Sequence, residues 1–206
     1  MEGRVFMTKN VLESAVIIFV HLGENNAPTL NHMAEVASSS LKDSECILIT
    51  DHPESWEDFA GRVIEFDRAA LDETMSGFTK RHVEIREISG GYWYYTLERI
   101  FALRMLKSHI GPNQPIIHLE SDVYSMIDEE ILTYMKENFP KTAVPRFSKS
   151  RGIGSIIFSV NLEQLMKDLD QLAILLNQNR SLDNDMDLLG LALNTGALSE
   201  LPSLAS

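Results

Sequence analysis

Four short apolar runs constrain this chain most: SAVIIFVHLG (14–23), CILITD (46–51), RVIEFD (62–67) and PIIHLESDV (115–123). None of them alternates. A strand with one wet face alternates apolar and polar residues, whereas a strand covered on both faces reads as a continuous apolar run. Runs this short, bounded by turn formers and rich in β-branched residues, suit strands better than helices. A helix over 29–42 separates the first two, with Leu30, Met33, Ala34, Ala37 and Leu41 on one stripe. Strand, helix, strand, strand predicts an α/β fold: a mostly parallel mixed sheet with helices on both faces. In such open sheets, ligands lie outside the carboxyl ends of the strands. The second and third runs end in Asp51 and Asp67, and the fourth in Glu120 and Asp122.

The rest of the chain extends the pattern. DHPESWED reads as a polar loop, 68–80 as weakly helical, and RHVEIREI (81–88) as an alternating strand. SGGYWYY follows as a glycine hinge with four aromatics, then a nearly all-apolar helix from Thr96 to His109. Arg99 lies in line with Leu103 and Leu106 on that helix, an unusual place for a charge. Asp128 caps a helix with Glu129 and Glu130 in its first turn, stopped by Pro140. TAVPRF (142–147) is a short strand limited by Pro145. SKSRGIG is a basic, glycine-containing stretch, and SIIFSV (155–160) is another strand. Asn161 with Gln164 forms a capping box for the next helix. DNDMDLLGLAL (183–193) opens with acids and becomes a short helix, and the remaining tail reads as loose.

The chain has 206 residues, 44% of them hydrophobic, which suits one domain with a sizeable core. Its formal net charge of -12 disfavours nucleic acids and anionic membranes, which bind basic surfaces. A phosphorylated ligand remains open, because a bound cation supplies local positive charge. Cys46, the single cysteine, lies in an apolar strand and reads as an inert buried thiol. No run approaches the ~20 apolar residues of a membrane span, and the start of the chain has no signal-peptide pattern, so a cytoplasmic protein is expected.

Glu120 and Asp122 are the leading candidates for chemistry. Residues i and i+2 on a strand project to one face, so both carboxylates can meet one ligand. A hard cation such as Mg2+ or Mn2+, carrying a phosphorylated substrate, suits that pair. Strand-end acids also cap turns or face solvent, and three residues alone do not decide between these readings. Arg99 reads either as a phosphate or sugar contact through bidentate bonds, or as an ion-pair partner of Glu98, Asp122 or another acid. Lys149 and Arg151 flank Gly152 and Gly154 and read as a solvated basic loop or a phosphate cover. His109 and His118 read as surface or core histidines.

The order of these motifs resembles the GT-A glycosyltransferases, whose single Rossmann-like domain binds a nucleotide-sugar. HLESDV resembles their acid-x-acid motif, with Glu120 in place of the commoner first Asp. TLERIFALRML resembles the upstream helix bearing an Arg, here Arg99. RGIGSIIFSVN resembles the later strand whose small residues line the sugar pocket, here Gly154 and Ser155. DNDMDLL resembles an acidic helix start, where Asp185 would act on the acceptor side. The resemblance spans roughly 14 to 195. It implies one GT-A-like domain over 1–206, with a nucleotide-binding part at 14–67 and metal, sugar and acceptor functions at 96–195.

It also implies Mn2+ or Mg2+ at Asp122 and Glu120, and donor contacts from His21, Gly23, Asp51 and Arg99. Tyr95 is a further donor-side candidate, read from the four aromatics' capacity to stack on a base or sugar face. The partners would be a nucleoside diphosphate sugar and an acceptor, whether a glycan, a lipid or a small molecule. Gly23 permits close backbone approach, and the Asp51 carboxylate can accept from a ribose hydroxyl or base N–H. The alternative reading is a plain turn glycine and a capping Asp. Packing by the aromatics and ordinary dipole-favourable acids at the last helix are further alternatives. No His follows His118, although many relatives add a C-terminal His to the metal shell, and the chain is short for the family. A non-catalytic nucleotide-sugar or protein-binding module of the same fold is therefore the second reading. A phosphatase of the haloacid dehalogenase type also uses Asp-x-Asp, but at the end of its first strand. Here that strand ends in His21.

Overall fold

The computed structural model describes residues 14–23, 27–74, 92–123, 127–182 and 184–202. Strand β1 (Val16–His21) runs parallel to β2 (Glu45–Thr50) on one side and to β4 (Ile116–Leu119) on the other, and β2 runs parallel to β3 (Arg62–Glu65). The sheet continues through antiparallel β7 (Ile156–Ser159), then β5 (Ala143–Ser148) and β6 (Arg151–Gly152). Strand β8 (Ser199–Leu201) lies parallel to β5. This is the mostly parallel mixed sheet that the non-alternating runs predict.

The sequence pattern explains the burial. Alternate residues of β1 enter opposite layers, because strand side chains have a period of two. Val16, Ile18 and Val20 join a core with helix α3 (Tyr92–Ala102), helix α5 (Leu162–Gln178) and helix α6 (Asp185–Thr195). Ile17 and Phe19 join the other, under helix α1 (Leu30–Ser40) and helix α4 (Glu129–Asn138). Helix α2 (Arg68–Thr74) follows β3. A fully buried Ile or Phe contributes about 1.5–3 kcal/mol, so these two layers dominate stability. Cys46 is buried and free, as expected, with Ser38 Oγ 3.0 Å from its sulfur.

Helix ends follow the predicted chemistry with one change. Asp128 Oδ1 accepts from Ile131 N at 2.9 Å, and Asn161 Oδ1 from Gln164 N at 2.8 Å. Only half of the capping box forms, however. The Gln164 amide donates to Asp168, which is buried and also accepts from Thr142 N.

Four local expectations are corrected. The helix expected from Thr96 begins at Tyr92 and tightens into a 3-10 helix over Leu103–Ser108. Leu103 and Leu106 are both buried, and a three-residue turn brings residues three apart onto one side. The loop DHPESWED contains a 3-10 turn, Pro53–Trp56, that buries Trp56. The basic stretch 148–154 includes strand β6 of a hairpin with β5. The tail is not loose. Gly196 ends α6 at φ 71, the left-handed cap that glycine permits, and turns the chain back so that Ser199–Leu201 pairs with β5. The expected strand 81–88 and the Gly-Gly hinge lie outside the described residues.

The β5–β6 hairpin packs onto α6 through Gly190. A Cβ there would stand 1.9 Å from the Ser150 carbonyl oxygen. Gly190→Ala is therefore predicted to destabilise the protein by about 1–3 kcal/mol, as overpacking against backbone does. Urea denaturation checks this, and an unchanged midpoint would contradict the packing.

Candidate functional site

The carboxyl ends of β1, β2 and β4 open onto a cavity of about 690 Å³ lined by His21, Gly23, Asp51, Arg68, Tyr95 and Arg99, among others. Five of the expected donor contacts line it: His21 and Gly23 at the end of β1, Asp51 after β2, and Tyr95 and Arg99 on α3. Gly23, at φ 100, adopts a left-handed conformation that any side chain would strain. Its N–H donates to Asp51 Oδ1 at 2.8 Å, which joins the loops after β1 and β2. His21 packs edge-on against Trp56, with ring centroids 5.3 Å apart. Tyr95 keeps 41% of its surface exposed along the cavity. The side chains of Tyr92, Trp93 and Tyr94 lie outside the described part.

The acid pair is presented differently from the prediction. Strand β4 ends at Leu119, so Glu120 and Asp122 occupy a turn, not a strand face. The chain leaves the sheet because its backbone groups bond elsewhere. Glu120 N donates to the Ser155 carbonyl at 3.0 Å, and Val123 N to the Glu120 carbonyl at 3.1 Å, closing the turn. Thr29 Oγ1 donates to the Ser121 carbonyl at 3.1 Å, although Thr29 precedes α1 and could have capped it. The turn is thus tied to two other parts of the fold, at Ser155 and Thr29. Asp122 is exposed at its tip.

Arg99 reaches this turn from α3, with Nη2 3.1 Å from Glu120 Oε1. Of the alternatives for Arg99, the ion pair with another acid is observed, and that acid is Glu120. Burial pushes the Glu120 carboxyl above the usual carboxylate range. Arg99 opposes that, and the charges of Asp122 and Asp185 add to it. Asp185 is buried at the first residue of α6, and a Cβ on Gly154 would stand 3.7 Å from its Oδ2. Arg99, Glu120, Asp122, Gly154, Ser155 and Asp185 are therefore brought to one place, and Arg99 joins them to the cavity.

Other candidates fall elsewhere. Asp187 holds the start of α6. It accepts from the Asn184 amide at 2.7 Å and from Arg151 Nε at 3.0 Å, so Arg151 is paired with the start of α6. Asp183 lies outside the described residues. His118 is a core histidine, 2% exposed, with Nδ1 3.1 Å from the Ile18 carbonyl. Burial and then Arg99 lower its pKa to about 4.

Sequence reasoning missed Arg68 and its partner. Glu98 has no exposed surface and accepts from Arg68 Nε at 2.6 Å and Nη2 at 3.0 Å. Arg68 Nη2 also lies 3.8 Å from Asp51 Oδ2. The available signal was Glu98 itself, a second charge on an otherwise apolar helix. Its partner stands 30 residues away, beyond any local pattern.

The donor set near the turn consists of carboxylates, the hard oxygen ligands that Mg2+ and Mn2+ take. Among the described residues, no group of three His, Cys, Asp or Glu is assembled to hold a metal. The residues fit a cation that keeps waters or substrate oxygens in its shell, with Asp122 as the accessible ligand. They do not fit a closed protein cage.

This architecture is the GT-A glycosyltransferase fold. No family model and no curated sequence matches the chain. Solved structures do. Apo mouse xyloside xylosyltransferase 1 aligns over 92% of this chain and 85% of its own, at 16% identity and TM-score 0.55. PaToxG glycosyltransferase aligns over 89% and 70%, at 15% identity and TM-score 0.58. The galactosyltransferase LgtC, solved with donor and acceptor sugar analogs, aligns over 91% and 73%, at 12% identity and TM-score 0.53. Among the described residues, no helix is long and apolar enough to cross a membrane.

The buried neutral His118 makes a pH prediction. The unfolded chain takes up a proton near the usual 6.5, whereas the folded chain resists until about 4. Stability is therefore lost as pH falls through this window, by about 2 kcal/mol from pH 7 to pH 5. His118→Phe removes this component, so denaturation curves at the two pH values should differ less for the variant. Equal pH dependence in both proteins would contradict the assignment.

Proposed function

We propose that this protein transfers a glycosyl group from a nucleoside diphosphate sugar to an acceptor hydroxyl with the help of Mn2+ or Mg2+. The glycosyltransferase fold supports the reaction class, but fold alone does not carry function. The observation that carries the reading is the charge balance at the carboxyl edge of the sheet. Among the described residues, the carboxylates of Asp51, Glu98, Glu120, Asp122 and Asp185 outnumber the guanidinium groups of Arg68 and Arg99. A diphosphate cannot enter such a place comfortably without a cation of its own.

In this reading, Asp122 holds the cation directly, and Glu120 does so directly or through water. The cation supplies stabilisation of the negative charge that develops on the departing diphosphate. Arg99 holds Glu120 in place and is near enough to the turn to add hydrogen bonds to phosphate or sugar. Gly23, Asp51 and Tyr95 receive the nucleoside, and Gly154 and Ser155 leave room for the sugar. Asp185, buried beside Gly154, serves the acceptor side as a base or a sugar ligand. The acceptor is a glycan, a lipid or a small molecule.

The second reading, a non-catalytic nucleotide-sugar or protein-binding module, is favoured by one observation. Glu120 is engaged by Arg99. Donor turnover separates the two. Mn2+-dependent release of nucleoside diphosphate from a panel of nucleotide-sugars is expected, and Asp122→Ala should lower it at least ~100-fold with the melting temperature unchanged. Donor binding without turnover would support the module instead. Turnover unaffected by Asp122→Ala would remove the assigned cation site.

A further inference from the structure

We infer that Arg68 is a specificity-determining residue whose guanidinium plane supports the nucleobase of the donor, an inference that rests on the donor reading above. Arg68 opens α2 just beyond β3, on the same rim of the cavity as Asp51 and Gly23. Its charge is already balanced. The Glu98 carboxylate is fully buried and binds it through both oxygens, and Asp51 Oδ2 lies 3.8 Å away. Two of its three nitrogens are committed to Glu98, so it lacks the free fork that a bidentate phosphate contact uses. What remains is a flat, weakly hydrated surface of fixed orientation.

The orientation has two causes. Side-on pairing through Nε and Nη2 makes the guanidinium coplanar with the Glu98 carboxylate. The buried ring of Phe66 backs it, with Cζ 5.5 Å from the ring centroid. The Arg68 side chain nevertheless keeps 42% of its surface exposed, and it lines the cavity. A rigid, neutralised plane beside a carboxylate suits a planar heterocycle bearing N–H donors. Guanidinium planes stack on bases in this way elsewhere in recognition chemistry. An aliphatic ammonium at the same point would balance Glu98 equally well but present no plane.

Calorimetry with UDP, GDP, ADP, CDP and ribose 5-diphosphate, each with Mn2+, tests this. Wild-type protein should bind at least one nucleoside diphosphate more tightly than ribose 5-diphosphate, which lacks only the base. Arg68→Lys keeps the charge opposite Glu98 and should reduce that preference roughly tenfold, leaving ribose 5-diphosphate affinity unchanged. Arg68→Met combined with Glu98→Gln removes both charges of the bidentate pair together. It should show the same loss, so a folding defect in one variant does not decide the matter. An undiminished preference in the folded variants would overturn the platform, as would equal losses for both ligand types. Wild-type protein that binds ribose 5-diphosphate as tightly as every nucleoside diphosphate would overturn the platform and leave the diphosphate site standing. If wild-type protein binds none of these ligands, the platform and the donor reading both fall.

Discussion

Strand β1 is held between β2 and β4 in parallel register, with Ile18 opposite Ile47 on one side and His118 on the other. The rest of the structure depends on that arrangement. Parallel pairing aligns the carboxyl ends of all three strands, so the chain must leave the sheet three times along one edge. Helices α1, α3, α4, α5 and α6 cover the two faces, and the cavity of about 690 Å³ opens along that edge. A one-residue slip of β1 would exchange the Ile18 and Phe19 layers and separate Gly23 from Asp51.

The edge gathers two kinds of charge. One arginine compensates a fully buried acid, Glu98, and the other holds a half-buried one, Glu120. Glu98 is fully buried, so losing Arg68 would leave an uncompensated buried charge at a cost of roughly 3–5 kcal/mol. Asp122, by contrast, projects from the turn into solvent. The site therefore combines a fixed polar wall with one exposed carboxylate. That division suits a pocket that orients an organic ligand on one side and receives a cation with the ligand on the other.

Much of this was legible in the sequence because the information was local. The non-alternating runs CILIT and AVIIFV identify strands buried on both faces. Asp128 before an acidic first turn and Asn161 before Gln164 mark helix starts. What was illegible depended on distant partners. Glu98 shows itself as an unusual acid, but nothing near it names Arg68. Ser199–Leu201 becomes a strand only because Gly196 turns it toward β5. The turn at Glu120 looks like strand in isolation, and bonds from Val123 and Thr29 and to the Ser155 carbonyl make it a turn. Glu120 and Asp122 share one small region for a reason other than strand alternation.

The proposed function requires a cation-dependent nucleoside diphosphate pocket at the carboxyl edge of β1, β2 and β4. Melting temperature measured with nucleoside diphosphates, with and without Mn2+, addresses that claim most directly. A stabilisation that requires nucleotide and Mn2+ together is the predicted result. Equal stabilisation by nucleotide without cation, or none from any nucleotide with it, would contradict the account.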